Sequence, residues 1–399
     1  MATKAYNLLT YPAIRELVSA LPEYDSIEGH VWREYLPIDD YGTSQVMWSE
    51  INDEALLAGM ISMEGVALPT QELPHKRYLA GLENIGASYN VLSEEVREIN
   101  DPGVQKMIET PNSFMGRQKS REIERMITER IQKNIKMMER QKEYLFHEML
   151  RGKINWPPLA ADGSAISNPM SHWNPAYVMS FTLPNLRATF TQKATELEGY
   201  GWDGVVGSGT GELGTQVAWN ATGANALYDI DIITTYMRRE FGLFAPGGEI
   251  FMNWTTFNTI ARQQAIRDVI LGTDATQSGS RAFVDEESFR QFILTTTRWQ
   301  FRIYAGKPWT YRTGTGTSTV QNPVEFLKDG DVFFIPDSTV IGNMGRAPHE
   351  TQDEQWVHGP APWFVKDNAP PYNRRGGLRE IAFPVPRRMN EVFRLKAFE

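Results

Sequence analysis

The residues best suited to chemistry are a run of glycines, a few carboxylate pairs, six scattered histidines and a long basic stretch. Gly209-Thr210-Gly211-Glu212-Leu213-Gly214 fits G-x-G-x-x-G, the spacing that lets backbone approach a pyrophosphate when it follows a strand and opens a helix. No strand-like run leads into it. Trp202, Gly204 and Gly207 extend it into a glycine-rich loop, so an open loop is the plainer reading beside a phosphate site at Gly207–Gly214. Gly207-Ser208-Gly209 lacks the flanking pattern of a nucleophile elbow. His147-Glu148 begins like H-E-x-x-H, but position 151 is Arg, so the second zinc ligand is missing and His147 reads as a partly covered surface residue. Histidines 30, 75, 147, 172, 349 and 358 never come within metal-ligand spacing of one another. With no cysteine, the chain excludes disulfide scaffolds, thiolate metal sites, iron–sulfur clusters and Cys-nucleophile catalysis. Asp39-Asp40, Asp229/Asp231 and Asp329/Asp331 could share acid–base work. Asp229 and Asp231 fit a helix start, however, and Asp329-Gly330-Asp331 fits a turn before a strand, so structural roles are expected. No catalytic residue, cofactor or metal ligand is nominated.

The basic stretch is also the strongest periodic feature. Arg117–Arg151 contains no Gly or Pro and meets Gly152 as a stop signal, which predicts one helix over about 117–151. At about 100° per residue, Ile123, Ile127, Ile131, Ile135, Met138, Leu145 and Met149 form a stripe roughly 120° wide, with charged residues on the opposite faces. Ten Lys or Arg against six Glu give the segment +4, and the whole chain is −9, so the remainder carries −13. Interleaved glutamates make a solvated face the common explanation. The segregation still nominates Arg121, Arg125, Lys133 and Lys136 as residues that could face a polyanion or an acidic neighbour.

These 399 residues suffice for a substantial core, and the composition, 41% hydrophobic with Gly 32 and Pro 23, argues against wholesale disorder. The acidic balance disfavours a dedicated nucleic-acid binder. No apolar run is long enough for a membrane span, and the first residues lack the apolar core of a secretory signal, so a cytoplasmic setting is expected. Along the chain, residues 1–44 read as an extended arm with one short helix near Ala13–Leu21. Residues 45–100 read as a ribbon excursion containing runs Gly65–Leu68 and Tyr78–Leu82, too small to stand alone. Runs Tyr177–Leu183 and Leu186–Thr191 suggest a sheet beside the long helix. From about 227 come a helix Asp229–Phe241, a strand Glu249–Asn253, helices Thr255–Leu271 and Asp285–Thr297, and strands Phe301–Ala305 and Val332–Ile335. Arg379–Phe398 reads as two strands split at Pro384 and Pro386. The fold class is α+β.

This order of segments resembles the Hong Kong 97-type capsid fold of tailed-phage shells. Several stretches are similar to the E family of phage major capsid proteins, the branch related to the lambda major head protein. They are Ala67–Ile99, with a basic stretch, a Gly-containing strand and Ser-Glu-Glu; the helix end EYLFHEMLRGKI (Glu143–Ile154); DGDVFFIPDSTVIGN (Asp329–Asn343); and the closing strands GLREIAFPVPRRMNEVFRLKAF (Gly377–Phe398). Residues 1–44 and Trp356–Arg375 match no part of that pattern.

The resemblance implies a structural protein, not an enzyme, that self-assembles as hexamers and pentamers into an icosahedral shell around double-stranded DNA in the host cytoplasm. It implies an arm (1–44), an extended loop (45–100), a peripheral domain (101–226) with the spine helix, an axial domain (227–345) and returning peripheral strands (346–399). Expected partners are other copies of the chain, a decoration or cement protein, the portal, and packaged DNA through non-specific contacts. No cofactor is implied. The rival expectation is a cytoplasmic α/β enzyme holding a phosphate-bearing ligand at Gly207–Gly214.

Overall fold

A computed structural model describes residues 29–43, 45–49, 77–81, 84–91, 101–110, 114–156, 179–182, 186–189, 218–241, 248–271, 284–313, 320–336, 341–351, 354–366 and 374–398. Its dominant element is a helix Phe114–Leu150 of 37 residues, about 55 Å long. It ends where the sequence places the stop: Gly152 takes φ 74°, and its N–H donates to Met149 O at 2.8 Å. At its other end it packs on the helix Pro102–Glu109, whose first turn is capped by Asp101 accepting from Gly103 N and Val104 N. Gly116 permits that approach, since a Cβ there would stand 2.0 Å from the Met107 carbonyl oxygen.

The long helix has two regimes. Up to Gln141 it is amphipathic, burying Ile123, Ile127, Ile131, Asn134 and Met138, while Ile135 is half-buried. From Lys142 to Leu150 every residue is buried, so the charged outer face expected along the whole helix stops at residue 141. The helix crosses a five-stranded sheet whose long strand, Arg374–Pro386, runs antiparallel to Asn84–Val91, Gly342–Ala347 and Ala361–Lys366. Ile38–Asp40 adds a parallel edge against Met344–Arg346.

Two expectations change here. The tail forms the two expected strands, Arg374–Pro386 and Phe393–Lys396, but the first runs through Pro384 and the break comes only after Pro386. Arg387 N bonds Ile341 O, and that parity turns positions 384 and 386 away from Gly342–Ala347, toward the edge where the partner Ala361–Lys366 has already ended at Arg379. Proline's missing N–H costs a strand nothing on such an edge. The expected ribbon is also shared out: Gln45–Ser49 pairs with Arg77–Gly81 as a two-stranded unit, whereas Asn84–Val91 joins the large sheet.

A second five-stranded sheet has the order Leu186–Thr189, Phe393–Lys396, Asp331–Ile335, Glu249–Asn253, Gln300–Tyr304. Its outer pairs are parallel and its inner pairs antiparallel. Asp331–Ile335 is buried throughout because its two faces meet different cores. Val332 and Phe334, with Ile250 and Met252, pack under helices Ala226–Phe241, Trp254–Ala261, Gln264–Leu271 and Glu286–Thr297. Phe333, Ile335 and Phe251 point instead into the core built around the long helix. A continuous apolar strand is what a sheet covered on both faces requires.

Thr255–Leu271, expected as one helix, is two, broken at Arg262-Gln263. The Gln263 side chain accepts from Ala226 N and donates to Trp219 O, bonds unavailable to a residue in a continuous helix facing solvent. Of the two strand runs expected beside the helix, Met179–Thr182 pairs with Lys153–Trp156 just past the helix end, while Leu186–Thr189 belongs to the second sheet. Ala13–Leu21 and Gly65–Leu68 lie outside the described residues.

Candidate functional site

The surface that the charge pattern nominates is the outward side of the long helix. Projected at about 100° per residue, Arg121, Arg125, Lys133 and Lys136 share an arc of roughly 120° centred opposite the buried Ile123–Met138 stripe. All four are exposed. Glu129 lies within the arc and pairs with Arg125 at 2.9 Å, and Lys119 pairs with Glu122 at 3.2 Å. Such exposed pairs hold their partners weakly, so the cations can exchange toward another anion. The arrangement offers a row of exposed cations, which suits non-specific contact with a polyanion.

The other residues singled out in the sequence occupy structural positions. Gly207–Gly214, His75 and His172 lie outside the described residues. Among the described residues no group of three His, Asp or Glu is placed to hold a metal ion, and no helix is long and apolar enough to cross a membrane. Asp39 accepts from Asn343 Nδ2 at 3.0 Å and Asp40 pairs with Arg346 at 2.9 Å, which fixes the parallel edge strand. Asp231 is exposed, whereas Asp229 is buried and accepts from Trp219 Nε1 at 2.8 Å. Burial pushes the Asp229 carboxyl up to about 7 despite that hydrogen bond. Asp329 accepts from Asn253 Nδ2 at 2.6 Å. Asp331 is held between Arg151 (3.1 Å) and Arg394 (2.7 Å), and Arg151 also bonds Glu148 and the Phe326 carbonyl.

His147 corrects its sequence reading: it is buried, not a surface residue. The helix's last turns are roofed by Phe251, Tyr304 and Phe326, whose ring centroids lie 5.9, 4.7 and 6.0 Å from the imidazole. Its Nε2 faces Glu143 Oε1 at 3.0 Å.

This pair belongs to a network that sequence reading missed. Residues Gly29–Tyr41, expected as the end of an extended arm with little core of its own, form a strap over the buried end of the long helix. Trp32, Tyr35 and Leu36 are fully buried, with Trp32–Tyr35 making one helical turn. Glu143 accepts from Val31 N at 3.1 Å and Trp32 N at 3.0 Å, so a carboxylate more than a hundred positions away caps that turn. Glu139 accepts from Trp32 Nε1 at 3.2 Å and pairs with Arg33 at 3.2 Å and Lys142 at 3.1 Å. Lys142 completes the chain to Glu380 of the long strand at 2.8 Å and lies over the Trp32 ring at 5.3 Å. On its far side the strap reaches the second sheet, where Tyr35 bonds Glu249 and Glu34 pairs with Arg302 at 2.6 Å. The segment is extended nowhere between 32 and 35 because indole, phenol and leucine burial is available within its own chain. The one sequence signal was Glu139, Glu143 and His147 at i, i+4, i+8, which interrupt the basic face of Arg121, Arg125 and Lys136 on the same side of the helix.

Comparison with known proteins comes from structure alone. No family model matches the chain, and no curated protein matches it. The protein assigned as the capsid protein of a prophage in Escherichia coli CFT073 is similar over 99% of both chains, with 11% identity and a TM-score of 0.49. A phage-related protein of Bordetella bronchiseptica RB50 is similar over 97% of this chain and 96% of its own, with 8% identity and a TM-score of 0.46. The virus-like particle of Pyrococcus furiosus is similar over 96% and 98%, with 6% identity and a TM-score of 0.41.

Proposed function

We propose that this chain is a major capsid protein of a tailed phage, built on the Hong Kong 97-type fold, whose copies assemble into an icosahedral shell. The observation that carries the reading is the arrangement around the long helix. A helix of 37 residues lies across a sheet assembled from the chain's first hundred and last sixty residues, and a second sheet with four helices is tied to its end. That is the architecture implied by the segment order and by the motifs at Glu143–Ile154, Asp329–Asn343 and Gly377–Phe398. Those motifs also favour the E branch of the family. Divisions near residues 44, 100, 226 and 345 follow from the same reading, with the last strand, Phe393–Lys396, returning to the second sheet.

On this reading the role is structural and the location is the virion, assembled in the host cytoplasm with portal and decoration proteins as partners. The basic helix face, Arg121, Arg125, Lys133 and Lys136, is turned toward packaged DNA or an acidic neighbouring subunit. Negative-stain microscopy and size-exclusion chromatography of the purified chain test the proposal. Shells, sheets or capsomer rings are expected. A stable monomer that binds nucleotide at Gly207–Gly214 would overturn it in favour of the enzyme reading.

A further inference from the structure

The strap is fastened by a carboxylate that has no cation of its own. Glu143 holds three N–H groups, from Val31, Trp32 and the Nε2 of His147, while the cations of the neighbourhood, Lys142 and Arg33, are engaged by Glu139 and Glu380. His147 is enclosed by Phe146, Phe251, Tyr304 and Phe326, and its Nδ1 has no hydrogen-bond partner. A second buried imidazole, His30, sits on the strap itself, edge-on to Phe326 at 5.5 Å, and its Nδ1 is likewise without a partner. With His147 neutral and its proton on Nε2, all three donors point at one ionised carboxylate.

We propose that Glu143, His147 and His30 form an acid-sensitive catch that holds the strap Gly29–Tyr41 on the long helix at neutral pH and releases it as pH falls. Protonating Glu143 takes an acceptor from two backbone N–H groups. Protonating His147 places a charge in an aromatic box, and protonating His30 places one beside Phe326, in each case with no acceptor for an N–H at Nδ1. The groups facing the catch are few. From the long helix come Glu139, Arg140, Glu148 and Arg151; from the strap, Arg33; and from the strand Gln300–Tyr304, the Tyr304 phenol. The Phe251 strand contributes aromatic surface to the box.

The directions agree with the geometry. Burial lowers His147 and His30, with Glu143 offsetting only part of it. Burial alone would raise Glu143, but the hydrogen bonds from His147 and the Trp32 N–H, joined by a charge interaction once either imidazole is protonated, outweigh it and hold the carboxyl below its usual range. A group depressed in the folded state stabilises above its unfolded value and loses that contribution as pH falls through the folded one. The loss therefore begins below about 6.5, the ordinary histidine value, and deepens as Glu143 titrates.

Hydrogen–deuterium exchange of the full-length chain, corrected for intrinsic rates, reads the catch directly at Val31–Leu36. From pH 7.5 to pH 5 the opening of this segment should rise at least about tenfold, while Ile123–Ile131 of the same helix stays unchanged. In His147→Gln, which keeps a neutral donor toward Glu143 and cannot take the proton, that rise should fall to less than half. Glu143→Gln should open the strap at pH 7.5 already and leave little pH dependence. Protection of Val31–Leu36 that is flat from pH 7.5 to 5 in the unmodified chain overturns the proposal even if neither variant folds. So does a His147→Gln profile that matches the unmodified one.

Discussion

Asp229 offers a quantitative test because its carboxyl is buried with one hydrogen-bond donor. It lies in the first turn of helix Ala226–Phe241, is 2% exposed and accepts only from Trp219 Nε1 among the bonds described. Burial raises it to about 7 from an ordinary 3.8. Between those values the unfolded chain has released the proton and the folded chain has not, so stability falls as pH rises and levels off above about 7. At about 1.4 kcal/mol per pH unit, the three-unit gap corresponds to roughly 4 kcal/mol. Residual structure in the unfolded chain lowers the expected effect to about 2–4 kcal/mol. Asp229→Asn keeps an oxygen for the Trp219 N–H and does not titrate. It should therefore lie within about 1 kcal/mol of the unmodified chain at pH 4.5, where the unfolded carboxyl is already mostly ionised, and be more stable by about 2–4 kcal/mol at pH 8. Paired thermal or urea unfolding at the two pH values measures the difference, in which all other titrations cancel. An Asn variant that is less stable at pH 8, or whose difference from the parent does not change with pH, would refute the reasoning.

Three further outcomes follow from the same packing arguments. Lys142→Met leaves Glu380, fully buried, without its cation and should cost about 3–5 kcal/mol in unfolding experiments; Lys142→Met/Glu380→Met should recover most of that loss. Ile131→Ala in the fully buried stripe should cost about 2–5 kcal/mol, whereas Arg125→Ala, whose partner is a solvent-exposed Glu129, should change unfolding by less than about 0.5 kcal/mol. Reversing Arg121, Arg125, Lys133 and Lys136 to Glu should leave the fold intact by circular dichroism while weakening DNA retention in assembled particles; unchanged retention and assembly would remove these residues from the proposed surface.

Long-period features were legible in the sequence and long-range pairings were not. The helix was found to within three residues at its start because about ten turns of 3.6-period patterning accumulate into one signal and Gly152 ends it. Glu249–Asn253 and Val332–Ile335, the latter one residue short of the observed strand, were found because strands buried on both faces carry continuous apolar runs. His147 was misplaced because a charged neighbourhood, Glu139 to Arg151, looks solvated in sequence; its partners Trp32, Arg33, Glu380, Asp331 and Arg394 are distant in the chain. The strap was hidden for the same reason. Its turn is too short to have a period, and its cap comes from Glu143 on another element.

The buried network also changes what the helix's charge means. Lys142 and Arg151 lie in its buried end with Glu139, Glu143 and Glu148, an end with one negative charge in excess. That excess is answered by strap backbone N–H groups and by Arg33, not by the outward face. The eight remaining cations of Arg117–Arg151 share the stretch before Gln141 with three carboxylates outside the buried network, Glu122, Glu124 and Glu129. The net +4 of the segment is thus a +5 surface and a −1 core. The surface value is the one a polyanion meets, and the core value explains why Glu143 is free to act as a cap. A uniformly solvated helix would spread its charge along its length. Here the acidic end is folded under a strap of the same chain, and the positive charge is concentrated on the roughly three quarters of the helix, Phe114–Gln141, that remain in contact with solvent.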